Sequence, residues 1–367
     1  MDEKDRLLLT YLQNGLPLTS RPFDVWSSKI GADNAELLVR IQRLKKEGTF
    51  GGIKAILDPR GLHYQSAWVA VRIGQERLAP AEAVLKDRPL VRIDPGELGP
   101  RTEVFWDHPG VIYGCERDNE FNVWFFIAVP ADHDLELHVR CLEKLAGASR
   151  GLFLPVEGVF KGTDLLNALD PETFPVMSER FEGNRAKDLP DLTVEEIRMI
   201  RQLQEPFPLT DEPYRKIASD LGITEVQALE RMKSLVKKGC LKKIGSFLKP
   251  AGALLSAKAL VVWQIPEEKL ERIGPAIAEF GDVLYADRRP AFAEFPYSLY
   301  SMIRAGTPAE LEVSIRRMQD RIGKWPCRTL ATIREFKKKR MQYFPKDLDV
   351  WWRMSRHVVE TAFNGST

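Results

Sequence analysis

The stretch LQNGLPLTSRPF (Leu12–Phe23) returns as LQEPFPLTDEPY (Leu203–Tyr214), and that recurrence decides the fold. The offset is 191 residues and it holds outward from the motif, pairing Leu12 with Leu203, Gly48 with Gly239 and Pro59 with Pro250. DPRG at Asp58 is answered by KPAG at Lys249. The chain therefore carries one module twice. On either side of the shared loop lie segments with apolar residues at helical spacing, Lys4 to Gln13 and Val194 to Gln204 before it, Phe23 to Ile30 and Tyr214 to Leu221 after it. A turn at Gly31 or Gly222 leads to a third helix. Leu37, Leu38, Ile41 and Leu44 form its stripe in the first copy, and Ala228, Leu229, Met232 and Leu235 in the second. Glycine ends each. Helix, helix, turn, helix, glycine stop is the order of a winged helix-turn-helix domain.

After Pro59 and Pro250 the period changes from helix to strand. SAWVAVRI (Ser66–Ile73) and AKALVVWQI (Ala257–Ile265) read as first strands, followed by helices at Gln75 to Asp87 and Glu267 to Phe280. Two strands come next in each copy, Gly110 to Glu116 with Phe121 to Val129, and Asp282 to Arg288 with Ser298 to Arg304. A helix (His133 to Leu145; Pro308 to Arg321) and a last strand (Gly151 to Lys161; Cys327 to Lys337) complete βαββαβ, the split ferredoxin-like order. Tyr113 pairs with Tyr285 at an offset of 172, so the first copy has gained 19 residues, placed at Leu90 to His108 as a surface excursion or lid. The second copy has extra residues within PAFAEFPY, between its second and third strands.

The fold class expected is α+β, a tandem repeat of winged helix-turn-helix plus ferredoxin-like domain forming an intramolecular pseudo-dimer. Its divisions are 1–60 and 61–168 for the first copy, a linker at 169–190, 191–250 and 251–345 for the second, and a C-terminal helix and tail at 346–367. With 44% hydrophobic and 29% charged residues the composition is that of a soluble globular protein. MDEKDR is no signal peptide, and no apolar run approaches the roughly 18 residues of a membrane span, so a cytoplasmic protein is expected. The four cysteines are dispersed without metal-ligand spacing, and no metal site is expected. A net charge of only +2 argues against a protein devoted to nucleic acid, although basic clusters occur at Arg43–Lys46, Lys237–Lys243 and Arg334–Arg340.

Several blocks carry a resemblance. YGCERDNEFNVWF (Tyr113–Phe125) resembles the HNYxREHxYNLWF block of sirohaem decarboxylases, and YADRRPAFAEFPYSLYSMI (Tyr285–Ile303) resembles their HCYERPxxxxWPYNLYxMI block. REFKKKRMQYF (Arg334–Phe344) is similar to the closing segment of one subunit type, and PVEGVFKGTDLL (Pro155–Leu166) to that of the other. The whole looks like an Lrp/AsnC-type architecture in which two paralogous subunits are fused. The resemblance implies a carbon–carbon lyase that removes acetate carboxyls from sirohaem, giving didecarboxysirohaem on routes to haem or the denitrification haem. The iron tetrapyrrole is then substrate, and no separate cofactor is implied.

Such chemistry asks for cations to grip carboxylates, a poorly solvated reacting group and a proton donor for a carbanion-like methylene. Arginine meets the first need because its planar fork pairs bidentately. Arg117 and Arg289 follow the second strand of each copy at matching positions. Tyr113 and Tyr285 stand where the family blocks open with histidine, Asn119 replaces a further histidine, and Arg304 occupies the place of another. None of the five histidines falls on a matched position, though His108, in the insertion, lies near enough in sequence to swing into the vacated place. The expected catalytic residues are Tyr285, Tyr113 and Arg289. Substrate binding is expected from Arg117, Arg288, Arg289, Asn119, Asn122, Trp124, Tyr297, Arg304 and Lys337, with Trp124, Phe125, Phe292, Phe295, Tyr297 and Tyr300 lining a flat apolar cavity. Two other readings stay open: a tetrapyrrole-binding paralogue without that activity or with altered specificity, and a transcription regulator. The third helices begin with Ala32, Asp33, Asn34 and Glu36 or Thr224, Glu225 and Gln227, and the acidic side chains among them meet phosphates unfavourably. Further homo-oligomerisation is left open.

Overall fold

The first and third helices of each copy of the duplicated module start where a side chain accepts a backbone N–H that the helix itself leaves unpaired. In the computed structural model, which describes residues 1–49, 51–58, 61–75, 78, 103–161, 191–246 and 257–363, α1 (Glu3–Asn14) is capped by Asp2. Helix α2 (Pro22–Ile30) opens on a proline, and α3 (Asn34–Lys46) is capped by Asp33. The turn between them is Gly31, at φ 69°, a left-handed conformation that costs glycine nothing. Strand β1 (Lys54–Leu57) follows.

The first ferredoxin-like copy then runs β2 (Tyr64–Arg72), α4 (Glu103–Asp107), β3 (Val111–Arg117), β4 (Val123–Pro130), α5 (Leu135–Ala146), β5 (Arg150–Leu154) and β6 (Gly158–Lys161). In the second copy α6 (Val194–Leu203), α7 (Pro213–Leu221), α8 (Glu225–Lys237) and β7 (Leu241–Gly245) make the winged helix. Strands β8 (Ala257–Trp263), β9 (Val283–Arg288), β10 (Leu299–Ala305), β11 (Cys327–Leu330) and β12 (Thr332–Lys338) make the second sheet domain, with helices α9 (Glu267–Ala278) and α10 (Pro308–Ile322). Helix α11 (Lys346–Phe363) closes the order. The expected helix at Gln75 to Asp87, most of the insertion and the linker lie outside the described residues.

The chain divides into two compact units that regroup the copies. One joins Met1–His63 with Ala186–Ala253 and Gln342–Phe344, so both winged helices share it. In it β1 and β7 pair antiparallel, Lys54 opposite Gly245 and Ala55 opposite Ile244, which makes the wings one two-stranded sheet. The loops expected from PLT repeats meet across the copies. Tyr214 donates its hydroxyl to the Pro17 carbonyl at 3.0 Å, and Ser20 Oγ donates to Glu225, near the start of α8, at 2.9 Å.

The other unit joins Tyr64–Arg185 with Leu254–Met341 and Pro345–Thr367. It holds two five-stranded sheets, ordered β12-β3-β4-β2-β5 and β11-β8-β10-β9-β6. Period-two alternation sends Val69, Val71, Phe125 and Ile127 toward α5, and Val261, Trp263, Leu299 and Ile303 toward α9 and α10. This corrects the sequence reading of Phe125, which belongs to the helix-side core and cannot line a cavity on the other face.

A second correction concerns the last strand of each copy. Expected as one strand, it is two: β5 and β11 stay in their own sheets, while β6 pairs with β9 and β12 with β3 in the other copy's sheet. Pro155 accounts for the first break, since it has no N–H to give a ladder. Each exchanged strand carries an aromatic anchor. Phe160 occupies the space over Gly274 that a Cβ would fill, 2.4 Å from the ring, and Phe336 stacks on Trp106 at 4.8 Å, a ring that Gly114 admits by lacking a side chain.

Candidate functional site

The faces of the two sheets turned away from their helices meet, and the side chains that alternate onto them are the ones the repeat put at matching positions. On β3 and just past β9 the period of two sets Tyr113, Cys115 and Arg117 on one side, Tyr285, Asp287 and Arg289 on the other. All six are buried. The arginines each lie over an aromatic ring of their own copy's next strand, Arg117 over Trp124 at 5.6 Å and Arg289 over Tyr300 at 4.3 Å. Contact between the copies is direct. Arg289 also lies over Trp68 of the first copy at 5.6 Å, Trp68 meets Tyr113 edge-on at 5.7 Å, and Phe295 of the second copy packs on Trp124 and Phe121.

The guanidinium of Arg289 pairs bidentately with Asp287, Nε at 2.8 Å and Nη2 at 3.0 Å. Burial lifts the Asp287 carboxyl above its ordinary range against the pull of Arg289. Arg117 is held differently. It donates Nη1 to the Leu330 carbonyl at 2.9 Å and to the Thr332 hydroxyl at 3.3 Å, both on the crossover from β11 to β12, while its buried Nε has no hydrogen-bond partner.

Both tyrosines sit in an apolar setting that opposes ionisation. Burial pushes the Tyr285 hydroxyl up, with the nearby Arg289 and Arg117 pulling against it, and burial pushes Tyr113 up in the same way. Each is a neutral phenol at pH 7, able to donate a proton or a hydrogen bond. The Cys115 thiol is raised by burial too and stays neutral.

Of the other expected site residues, Tyr297 joins this cluster through Phe295, ring to ring at 4.8 Å. Several are placed elsewhere. Asn122 is spent on the backbone of Ile73, accepting from its N–H and donating to its carbonyl, each at 2.9 Å, and Asn119 accepts from Phe121 N–H in the hairpin turn. Arg288 points to Glu157, Glu267 and Glu271, and Arg304 is exposed toward the opposite end of β10. Lys337 donates to the carbonyls of Trp106 and His108 at 2.6 and 3.0 Å, and burial lowers its amine to about 7. It faces away from the tyrosines and arginines.

His108 does not take the vacated histidine place. It is fully buried on the helix side of the first sheet, where Nδ1 accepts from Gly110 N–H at 2.9 Å and Nε2 meets His138 Nδ1 at 2.9 Å. His138 Nε2 continues to His133 Nδ1 at 3.0 Å, and Trp352 of α11 stacks on His138 at 4.0 Å. Burial holds His108 well below its usual range and His138 near about 3, so the chain is a neutral packing device under the C-terminal helix. Sequence reasoning missed Asp287, Trp68 and Cys115. The signal for the first and last was present in the strand period, two residues before each arginine.

Paired winged helices joined to paired ferredoxin-like domains with an ionic and aromatic seam define the class as a tandem AsnC-like ligand-binding protein. The family profile for the sirohaem decarboxylase NirDL-like HTH domain matches residues 5–50 and 196–241, and that for the AsnC-like ligand binding domain matches 255–337. The sirohaem decarboxylase of Hydrogenobacter thermophilus is 28% identical over 94% of this chain and 96% of its own length. The sirohaem decarboxylase beta subunit of Methanosarcina barkeri is 30% identical over 39% of this chain and 94% of its own. The crystal structure of the sirohaem decarboxylase NirDL in complex with an iron-uroporphyrin III analogue superimposes with a TM-score of 0.74 at 25% identity, covering 97% of this chain and 100% of that one. The chain belongs to the sirohaem decarboxylase family, as a single-chain fusion of its two subunit types. No helix among the described residues is long and apolar enough to cross a membrane.

Proposed function

We propose that this protein decarboxylates acetate side chains of sirohaem, with the seam between its two sheets as the reaction site. The observation that carries the reading is the placement of a neutral phenol, Tyr285 of the second copy, within electrostatic reach of Arg117 of the first, in a desolvated aromatic setting. The bond between the acetate methylene and its carboxyl carbon breaks, carbon dioxide leaves, and the electron pair remains on the methylene carbon. Tyr285, or Tyr113 at the equivalent position, gives that carbon a proton and is reprotonated from solvent, so no oxidant is consumed. A low-polarity surround favours loss of the carboxylate charge, and arginine holds the other carboxylates. An iron-uroporphyrin analogue bound by a full-length structural relative supports a tetrapyrrole of this kind as ligand.

The regulatory reading fits the winged helices less well. Arg40 and Arg43 of α3 are engaged by Asp2, Asp5, Glu36 and Glu47, and the start of α8 contacts Ser20 of the other copy. Anaerobic incubation with sirohaem should release carbon dioxide and yield a tetrapyrrole lighter by the lost carboxyls. Tyr285→Phe should bind sirohaem normally and turn it over on the order of 10²-fold more slowly. Unchanged sirohaem under conditions where the Hydrogenobacter relative converts it overturns the proposal.

A further inference from the structure

The two arginines occupy equivalent positions, but the residue two places before each differs. Cys115 and Asp287 correspond at the same offset of 172 that relates Tyr113 to Tyr285 and Arg117 to Arg289. In the second copy that residue is a carboxylate and it occupies two donors of the Arg289 fork. Tyr300 and Trp68 flank the same guanidinium, whose side chain is 1% exposed. In the first copy the corresponding residue is a neutral thiol. Arg117 is left with a carbonyl, a hydroxyl, the Cys115 thiol and an indole face for company, makes no ion pair among the described residues, and has a buried Nε lacking any partner; the carboxylate opposite Cys115, Glu335, is exposed to solvent. A buried cation without a counter-charge is costly, and a carboxylate arriving from outside recovers that cost.

Access differs in the same sense. The crossover beside Arg117 is exposed at Ala331, Thr332 and Ile333, so the Thr332 hydroxyl lies at the rim while Leu330 is buried behind it. Displacing Asp287 from Arg289 would strand a carboxylate between the sheets.

Resting on the decarboxylase reading, we propose that the seam is a one-sided anion site: Arg117 takes an acetate carboxylate of the substrate, and Asp287 makes Arg289 a structural ion pair that takes none. Asp287 is thus the residue that sets which copy binds. Metal-free uroporphyrin III and coproporphyrin III, which has methyl groups where uroporphyrin carries acetates, separate the possibilities when titrated into the full chain and followed by porphyrin fluorescence. Wild type should prefer uroporphyrin. Arg117→Met should weaken uroporphyrin binding by about 10- to 100-fold, the scale of a lost charge-assisted pair, and leave coproporphyrin binding within about threefold. Cys115→Asp, which supplies the first copy with its own carboxylate, should do the same. The double substitution Asp287→Leu with Arg289→Met, removing both charges, should keep the uroporphyrin preference. Should Cys115→Asp fail to fold, Arg117→Met and the double variant decide. Loss of the preference in the double variant, or its retention in Arg117→Met, overturns the assignment. Failure of the wild type to bind either porphyrin overturns the decarboxylase reading itself, and this assignment with it.

Discussion

In the winged-helix pair the two copies differ and compensate, whereas in the sheet pair they differ and do not. Asp5 of α1 is held by Arg43, itself bonded to Glu47, at 2.7 and 3.2 Å. At the shared offset of 191 these positions become Glu196, Ser234 and Lys238, and the acid is still satisfied, now by Ser234 Oγ at 2.9 Å and Lys238 at 2.6 Å. The cation has moved one turn along the helix and the buried acid has kept a partner. Against this, Cys115 for Asp287 removes a buried counter-charge from one copy, and the carboxylate opposite it, Glu335, is exposed and makes no ion pair with Arg117. Compensated differences preserve stability in both copies, and the uncompensated one is where the proposed one-sided anion site lies.

The largest test removes each arginine in turn. Arg289→Met should cost about 3–5 kcal/mol in denaturant unfolding, because Asp287 is left buried and unpaired, while Arg117→Met should cost no more than about 1 kcal/mol. Equal losses would break the comparison. The exchanged strands give the next. Phe336→Ala should cost about 3 kcal/mol, since that ring is buried in the first copy's core against Trp106, and Phe160→Ala, half-buried over Gly274, about half as much.

Acid supplies the smallest effect. Burial pushes the Asp5 carboxyl up, and hydrogen bonds from Arg43 and Arg40 reverse it and hold the group at about 2. Because the folded value lies below the unfolded one, its contribution is complete above roughly pH 4 and is lost as pH falls toward 2. Asp5→Asn should cost about 2 kcal/mol at pH 7 and almost nothing at pH 2. Glu196, also lowered with Lys238 as the main opponent of burial, should show the same sign in Glu196→Gln with about half the loss. An Asp5→Asn variant equally destabilised at both pH values would contradict the ion-pair account.

Much of the fold was legible because it is carried by local periods. Apolar stripes at helical spacing, glycines after α2 and α7, and alternation in β2 and β8 are properties of neighbours in sequence. What escaped depends on partners far away. Nothing within Lys54–Leu57 marks it as a strand, since β7 pairs with it from the other copy, and the continuous strand-like pattern after Gly151 hides a change of sheet. At the site, matching positions singled out Arg117, Arg289, Tyr113 and Tyr285, and the structure buries all four on the facing sides of the two sheets. Motif blocks could not say which face Asn122, Arg288 or Lys337 would take, because a strand sends alternate residues to opposite layers. Within such blocks half the residues serve the helix side.

The strand exchange bears on how the chain is made. Strand β12 closes the first copy's sheet from a distance of 215 residues at Arg117 and Thr332, so that sheet stays open along β3 until the second copy's last strand has left the ribosome. Pairings at such separation are slow to form and leave an unpaired edge exposed meanwhile. Arg117 acquires its Leu330 and Thr332 contacts only when that closure happens, which makes its setting one of the last parts of this seam to be assembled.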